Sequence, residues 1–214
     1  MNERTPVVRV VDDDTAFLAA VARLLRAAGY TVETFKSAAD LLANLDDAGG
    51  CVIADLRMPG MDGMELQRAL TREAKLLPVI FLTGEGDIPT TVQAMRQGAE
   101  DFLTKRAPKE DLLAAVDRAI ARGARLRAEA VQLRALQVRV GALTSRELTV
   151  LRQVVEGRLN KQIAANLGIN ERTVKLHRTA ITTKLQVRSV AELTRLAQAA
   201  GLIDDRPPAF PKGQ

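Results

Sequence analysis

Short apolar runs alternate with helix-patterned stretches over the first 121 residues, and this alternation limits the possible folds more than any other feature. The runs are rich in β-branched residues and recur roughly every 20–25 residues. Between the first two runs, Phe17, Val21 and Leu25 lie four residues apart, the spacing of one helix face. Strands and helices in this order predict an α/β domain with a doubly wound, five-stranded parallel sheet. The predicted strands are Val7–Val11, Thr31–Phe35, Cys51–Asp55, Val79–Thr83 and Asp101–Lys105.

Polar side chains stand where these strands end. Asp12 and Asp13 follow the first strand, Asp55 ends the third, Thr83 the fourth and Lys105 the fifth. Because the carboxyl ends of parallel strands meet at one edge of the sheet, we expect these side chains to share a crevice. Clustered carboxylates are costly without a cation, and hard oxygen ligands suit Mg²⁺. The pattern predicts a magnesium site for phosphoryl transfer, where the lysine and the threonine contact phosphoryl oxygens.

The charge differs between the two halves of the chain. Residues 1–121 hold 14 Lys/Arg and 19 Asp/Glu, a net charge of −5, whereas residues 122–214 hold 17 and 7, a net charge of +10. A basic half suits a polyanionic partner such as nucleic acid. Solvated basic faces are also common, so the charge alone leaves both interpretations open.

The basic half has the pattern of short helices joined by tight turns. Thr144 and Glu147 form the sequence of a capping box at the start of an apolar helix face. Gly157 ends that helix, and Asn160 is a candidate cap for the next one. These signals predict an all-α domain.

A small residue, a glycine and an apolar residue follow at helix-turn-helix spacing. Ala164, Gly168 and Val174 stand at relative positions 0, 4 and 10. The second helix of the motif is predicted from Glu171 to Leu185 and is rich in basic and hydroxyl side chains. Such a helix offers many donors to phosphates and base edges. On composition alone it is equally well a charged, solvated surface helix.

A long helical pattern joins the two halves, from Pro108 to about Val140. Its apolar positions alternate at spacings of four and three, as in a coiled coil, although Gly123, Ala130 and Gln137 weaken the seam. One interpretation is an amphipathic helix packed on its own domain, and the other is a two-stranded coil that joins two copies. Both stay open. Beyond residue 121 we expect the helix to be exposed and rich in arginine.

The motifs of the first half resemble the receiver domain of response regulators, a flavodoxin-like fold, over residues 6–121. The matching residues are Val10–Asp14, Asp55–Gly63, Thr83-Gly84 and Lys105. The resemblance implies that Asp55 accepts the phosphoryl group and that Asp13, Asp55 and the Arg57 carbonyl bind Mg²⁺, with help from Asp12. It also implies phosphoryl contacts from Thr83 and Lys105 and an aromatic switch at Phe102. Arg106 follows Lys105 where the family commonly has a cis proline, so a trans bond is expected here.

The second half resembles the DNA-binding domain of the LuxR/FixJ type over residues 143–200. The matching segments are Leu143–Glu147, Asn160–Ala164 and Thr173–His177. The resemblance implies that Lys175, Leu176 and Thr179 face the major groove. It makes Thr173, His177, Arg178 and Lys184 candidates for phosphate contacts.

Together the two resemblances imply a two-component response regulator. The expected function is transcription regulation: a sensor histidine kinase phosphorylates Asp55, and a dimer then binds double-stranded DNA and works with RNA polymerase. We expect no enzymatic activity beyond the chain's own magnesium-dependent phosphorylation and dephosphorylation. The alternatives are a phosphotransfer relay and a protein-interaction adaptor without DNA binding. The expected domains are a receiver (1–121), a helical linker (122–142), a helix-turn-helix domain (143–201) and a disordered tail (202–214).

Three observations concern the cellular location. No uninterrupted apolar run approaches the ~18 residues that span a bilayer, and no secretory signal is recognisable at the N-terminus. Cys51, the only cysteine, lies in an apolar run, which predicts a buried thiol rather than a reactive one. We therefore expect a cytoplasmic protein without contact with a membrane.

Overall fold

The computed structural model describes residues 5–84 and 88–202, except for the side chain of Ile88. The chain divides into two compact units, Met1–Ala128 and Glu129–Gln214. The predicted disordered tail lies outside the described residues, apart from residue 202. None of the described helices is both long and apolar enough to cross a membrane.

The first unit is built on a parallel sheet whose described strands lie in the order β2-β1-β3-β4-β5. This order confirms the predicted doubly wound sheet, because strands are added on both sides of β1. The third strand begins one residue earlier than predicted, and the fifth ends one residue earlier, so Lys105 follows that strand. The strands are β1 (Val7–Val11), β2 (Thr31–Phe35), β3 (Gly50–Asp55), β4 (Val79–Thr83) and β5 (Asp101–Thr104).

Helices cover both faces of the sheet. Leu25 of α1 and Val116 of α5 belong to one buried cluster with Val10, whereas Leu41 of α2 and Leu66 of α3 belong to a second cluster. Each cluster is a separate apolar core, and the sheet lies between the two. The helices are α1 (Thr15–Ala27), α2 (Ala38–Asn44), α3 (Gly63–Arg72), α4 (Ile88–Arg96) and α5 (Lys109–Gly141).

Cys51 lies inside the first of these cores. Its thiol is 0% exposed, and burial raises its pKa to about 12. The prediction of a buried cysteine is therefore confirmed, and a raised pKa disfavours the reactive thiolate.

The long helix α5 remains packed on the first unit beyond residue 121. A Cβ atom on Gly123 would lie 2.9 Å from the Gly50 carbonyl oxygen, so only glycine allows this close approach. The Arg127 guanidinium lies against Gly49, where a Cβ atom would be only 2.1 Å from Arg127 Nη2. The expectation that the helix is exposed from residue 122 was wrong. Residues 128–135 are the stretch in which every side chain is exposed.

The second unit packs four described helices around one apolar core. Val150 and Leu151 of the first helix meet Ile163, Ile181 and Leu185 of the next two in this core. The third of these helices runs from Glu171 to Leu185, which are the bounds predicted for the second helix of the helix-turn-helix motif. The helices are α6 (Ser145–Val155), α7 (Asn160–Leu167), α8 (Glu171–Leu185) and α9 (Val190–Ala199).

The predicted caps of α6 and α7 have different outcomes. Thr144 and Glu147 form the predicted capping box, in which each backbone N–H donates to the other residue's side chain at 2.7 and 3.2 Å. The predicted cap at Asn160 was wrong. Helix α7 already begins at Asn160, and Gln162 instead accepts a hydrogen bond from the Leu159 N–H at 2.8 Å. A side chain one turn inside the helix thus satisfies a free N–H at its start.

Candidate functional site

The carboxyl edge of the sheet brings three aspartates together. Carboxylate oxygens of Asp12, Asp13 and Asp55 lie within 4.8 Å of one another. The register explains this proximity, because Val11 pairs with Ala54 and the two strands therefore present Asp12 and Asp55 side by side. Asp12 and Asp55 are buried, whereas Asp13 is exposed at the mouth of the cluster.

The lysine after β5 reaches into this cluster. Its Nζ lies 2.7 Å from Asp12 Oδ2 and 3.1 Å from Asp55 Oδ2. The Lys105 N–H donates to the Thr83 carbonyl at 2.7 Å, which fixes the start of the turn beside β4. No cis peptide bond occurs among the described residues, so the bond to Arg106 is trans as predicted.

Burial and hydrogen bonding act against each other in the cluster. Burial raises the pKa of Asp12 above its ordinary value, although hydrogen bonds from Lys105 and from the Asp14 N–H act to lower it. Burial acts to lower the pKa of Lys105, but Asp12 and Asp55 outweigh it and raise that pKa above 10.5. The ammonium is therefore charged at neutral pH.

The side chains of the cluster fit a hard cation. The cluster holds three carboxylates and one ammonium, so negative charge is in excess, and every ligand atom that it offers a metal ion is an oxygen. Asp12, Asp13 and Asp55 could hold a magnesium ion, whereas a soft metal would need sulfur or imidazole ligands. The residues present therefore match the predicted cofactor in chemistry.

Three further predicted residues lie on β4, on β5 and in the segment after β3. Thr83 is buried at the end of β4, one position beyond Leu82, which pairs with Asp55. Phe102 is partly buried in β5, and its ring centroid lies 6.2 Å from that of Phe81. Arg57 is exposed in the segment between β3 and α3.

One neighbour of the lysine has no counterpart in the predicted site. The Phe17 ring centroid lies 4.6 Å from Lys105 Nζ. The two residues are far apart in sequence and belong to different βα units, so no local pattern could have linked them.

A continuous exposed stripe runs along α8. Its members repeat at i, i+3, i+4, i+7 and i+11, the spacing of one helix face. Leu176 is 65% exposed, although it is apolar. The predicted residues Lys175, Leu176 and Thr179 form the centre of the stripe. The complete stripe is Arg172, Lys175, Leu176, Thr179 and Thr183.

Three of the predicted phosphate-contacting residues make contacts within the second unit. Thr173 donates its hydroxyl to Asn170 at 2.8 Å, and Arg178 Nη1 donates to Asn160 Oδ1 at 2.9 Å. Lys184 Nζ donates to both Glu147 oxygens, at 2.7 and 2.9 Å.

The fourth of these residues, His177, is half-buried. Phosphate contacts by all four stay predictions. Arg172 and Thr183 are among the basic and hydroxyl side chains expected on this helix, but the sequence assigned neither of them a DNA contact, although their spacing from Lys175 and Leu176 could have indicated one.

Two family models match this chain. The first, described as the response regulator receiver domain, matches residues 8–117. The second, described as bacterial regulatory proteins of the luxR family, matches residues 141–197. The first range contains the aspartate cluster, and the second contains the exposed stripe of α8.

Known relatives match this chain over most of its length. The response regulator protein TmoT of Ectopseudomonas mendocina is 42% identical over 199 residues, which cover 92% of this chain and 90% of TmoT. The transcriptional regulatory protein FixJ of Bradyrhizobium diazoefficiens is 36% identical over 92% of this chain and 97% of FixJ. Among solved structures, the response regulator StyR matches with a TM-score of 0.79 and 42% identity, over 91% of this chain and 99% of StyR.

Proposed function

Because this chain belongs to the response regulators that join a receiver domain to a luxR-type DNA-binding domain, we propose that it regulates transcription through phosphorylation of Asp55. The resemblance stated from the sequence is confirmed at the level of the family, and the family is one of regulators rather than enzymes. The observation that supports the proposed acceptor is the cluster of Asp12, Asp13, Asp55 and Lys105, in which Asp12 and Asp55 are buried.

Each residue of the cluster has a proposed part in phosphoryl transfer. An Asp55 carboxylate oxygen forms a bond to phosphorus while the bond between phosphorus and the leaving group breaks. Asp12, Asp13, Asp55 and the Arg57 carbonyl would hold Mg²⁺, which neutralises charge on the phosphoryl oxygens when it is bound. The Lys105 ammonium turns from the Asp55 carboxylate to a phosphoryl oxygen. This magnesium-dependent self-phosphorylation, and the dephosphorylation in which water attacks phosphorus and the Asp55 carboxylate leaves, are the chemistry that we assign to the chain.

Thr83 and Phe102 are proposed to report the phosphorylated state. Thr83 lies one residue beyond the partner of Asp55 in the neighbouring strand, and its hydroxyl would contact the phosphoryl group. Phe102 stands on the next strand and is only partly buried, and its ring would turn inward when Thr83 moves. The two side chains would then change the surface of the last two βα units.

The exposed stripe of α8 is proposed to read DNA. Lys175, Leu176 and Thr179 at its centre would face the major groove, where an apolar side chain can contact a thymine methyl group. Four further residues are proposed to contact phosphates: Thr173, His177, Arg178 and Lys184. Thr173, Arg178 and Lys184 would do so in addition to their contacts within the domain.

The proposed partners follow from the two domains. A sensor histidine kinase would supply the phosphoryl group, and phosphorylation would favour a homodimer that binds paired half-sites in double-stranded DNA and works with RNA polymerase. We place this activity in the cytoplasm. We assign residues 1–121 to the receiver, 122–142 to the linker and 143–201 to the DNA-binding domain.

The phospho-acceptor is tested by exchanging one carboxylate for its nearly isosteric amide. We expect Asp55→Asn to abolish magnesium-dependent labelling by acetyl phosphate while it keeps the fold. Asp14→Asn is the matched control, because Asp14 caps α1 outside the metal-binding set and asparagine caps a helix equally well. Labelling of Asp55→Asn at the rate of the unmodified chain would overturn the assignment.

A further inference from the structure

The charged lysine of the aspartate cluster is in contact with an aromatic ring. Lys105 Nζ lies 4.6 Å from the centroid of the Phe17 ring, within the distance at which a cation is attracted to an aromatic face. The same nitrogen hydrogen-bonds Asp12 at 2.7 Å and Asp55 at 3.1 Å. The ammonium is thus held by two carboxylates and one ring.

A chain of hydrogen bonds places that ring next to the cluster. The Asp12 carboxylate accepts a hydrogen bond from the Asp14 N–H at 2.9 Å. The Asp14 carboxylate in turn caps α1 and accepts from the N–H groups of Ala16 and Phe17 at 2.9 and 3.1 Å. The turn that orients Asp12 therefore also fixes the first turn of α1, from which the ring extends. Phe17 is partly buried against the core beneath α1, which restrains its side chain.

A ring and a carboxylate hold an ammonium in different ways. A Lys ammonium has three N–H donors, and Asp12 and Asp55 accept hydrogen bonds from it. A third carboxylate would compete with a phosphoryl oxygen for the ammonium, whereas the ring attracts the charge without adding an oxygen acceptor. We propose that Phe17 is a positioning residue that keeps the Lys105 ammonium at the phosphoryl site while its hydrogen-bonding partners change. This role rests on the proposed function.

The contact has a spectroscopic signature that needs neither metal nor phosphoryl group. The ring current of Phe17 should move the NMR signals of the Lys105 ε-methylene protons upfield from those of the other lysines. Phe17→Leu should remove this shift, and Phe17→Tyr should retain it because the ring remains. Lys105 signals at the ordinary position in the unmodified chain would overturn the proposal.

The consequence for phosphorylation is measured as the rate of labelling by acetyl phosphate with Mg²⁺. We expect Phe17→Leu to slow labelling about two- to fivefold, the range that corresponds to a partly exposed cation–π contact. Phe17→Tyr should restore the rate. Leu24→Ala is the matched control, because Leu24 lies on the same helix and packs against the same core but is not one of the residues that hold the Lys105 ammonium.

A purely structural role for Phe17 gives a different result. Leu24→Ala would then slow labelling as much as Phe17→Leu does, and this outcome would overturn the proposal. Labelling of Phe17→Tyr as slow as that of Phe17→Leu would also overturn it, because tyrosine keeps the aromatic ring. Failure of the proposed function would give a different set of results. Asp55→Asn would still be labelled, whereas the Lys105 signals of the unmodified chain would remain shifted upfield.

Discussion

Arg9 lies in the middle of β1 with a side chain that is 0% exposed. Its guanidinium contacts Glu33 on the neighbouring strand at 3.4 Å, Asp46, and the Ala48 carbonyl at 3.3 Å. Nη1 has no hydrogen-bond partner among the described residues. A buried charge of this kind depends on its partners, and its removal together with them is often neutral for stability. Through Glu33 and Asp46, Arg9 connects β2 to the segment after α2.

This arrangement gives a prediction about the stability of the receiver. The double variant Glu33→Ala/Asp46→Ala should lose about 3–5 kcal/mol of unfolding free energy, because it leaves the Arg9 charge buried without carboxylates. Adding Arg9→Met to that double variant should recover most of the loss, since methionine fills similar space without a charge. Urea unfolding followed through signals of residues 5–84 measures all three chains. A triple variant as unstable as the double variant would contradict the charge argument.

Sequence position predicted the aspartate cluster but not the surroundings of its residues. Asp12, Asp55 and Lys105 were predictable because each follows or ends a strand, and parallel strands end at a common edge. The contact of Phe17 with Lys105 depends on the rotamers of two side chains from different units. The burial of Arg9 contradicts the preference of arginine for the surface, and only its distant partners make that burial possible.

At the scale of elements, one ion pair connects α6 to α8. Glu147 completes the capping box of α6 and accepts both hydrogen bonds from Lys184 near the end of α8. The hydrogen bond from Lys184, followed by that from the Thr144 N–H, lowers the pKa of Glu147 below its ordinary value of 4.5. The orientation of the proposed DNA-reading helix is therefore linked to the ionised form of one carboxyl group.

The lowered pKa predicts how the second unit responds to acid. Ionised Glu147 contributes fully to the free energy of unfolding at pH values above its ordinary pKa of 4.5. This contribution is lost as the pH falls from there through the lower pKa of the folded state. Glu147→Gln should be less stable at neutral pH and should lose less stability than the unmodified chain over this acid interval. Thermal midpoints of NMR signals from residues 143–202 provide the measurement. Parallel midpoint curves for the two chains would show that Glu147 carries no such linkage.

The stripe of α8 predicts two kinds of DNA-binding defect. Lys175→Ala should cost about 1–3 kcal/mol at the specific site and little elsewhere, if the ammonium contacts a base edge. Lys184→Ala should weaken binding to all sequences and reduce the salt slope by about one unit, if it contacts a phosphate. The Lys184 variant is compared in chains that carry Glu147→Gln, so that no unpaired carboxylate is left buried. Equal, sequence-independent losses in salt titrations would contradict the base-reading role of Lys175.

The bounds of α8 were predictable because a capping signal, a left-handed glycine turn and an apolar stripe agree with one another. The start of α7 was not. Asn160 is a good capping residue, but its side chain accepts a hydrogen bond from Arg178 of α8, and the helix begins one residue earlier than that cap would allow. Tertiary contacts thus replaced a local preference.

At the scale of the whole molecule, α5 belongs to both compact units and is the covalent connection between them. The four-three seam predicted from the sequence is largely used within the chain. Gly123 is buried against Gly50, Leu126 is half-buried, and Val140 packs against the core of the second unit. Ala130 and Leu133 are the apolar members of its second half that remain exposed, too few for a coiled coil.

A different face of α5 exposes apolar side chains to solvent. Ala128, Val131, Ala135 and Val138 are all exposed and follow one another at spacings of three, four and three. Val131 is 57% and Val138 is 71% exposed, so this face presents apolar surface to solvent over two turns and more. The sequence did not distinguish it from the predicted seam, because both have the same spacing and only burial separates them.

We therefore expect the proposed homodimer of the phosphorylated chain to use this second face. Val131→Asp/Val138→Asp should weaken self-association of the chain treated with a phosphoryl mimic, because each partner would bury carboxylates against an apolar seam. Leu133→Asp/Gln137→Asp is the matched control on the predicted seam and should associate as the unmodified chain does. Arg134 and Arg139 flank the second face, so pairing without DNA should strengthen as salt screens their repulsion. Sedimentation at two salt concentrations measures both effects, and equal association of the two double variants would assign α5 the role of a spacer.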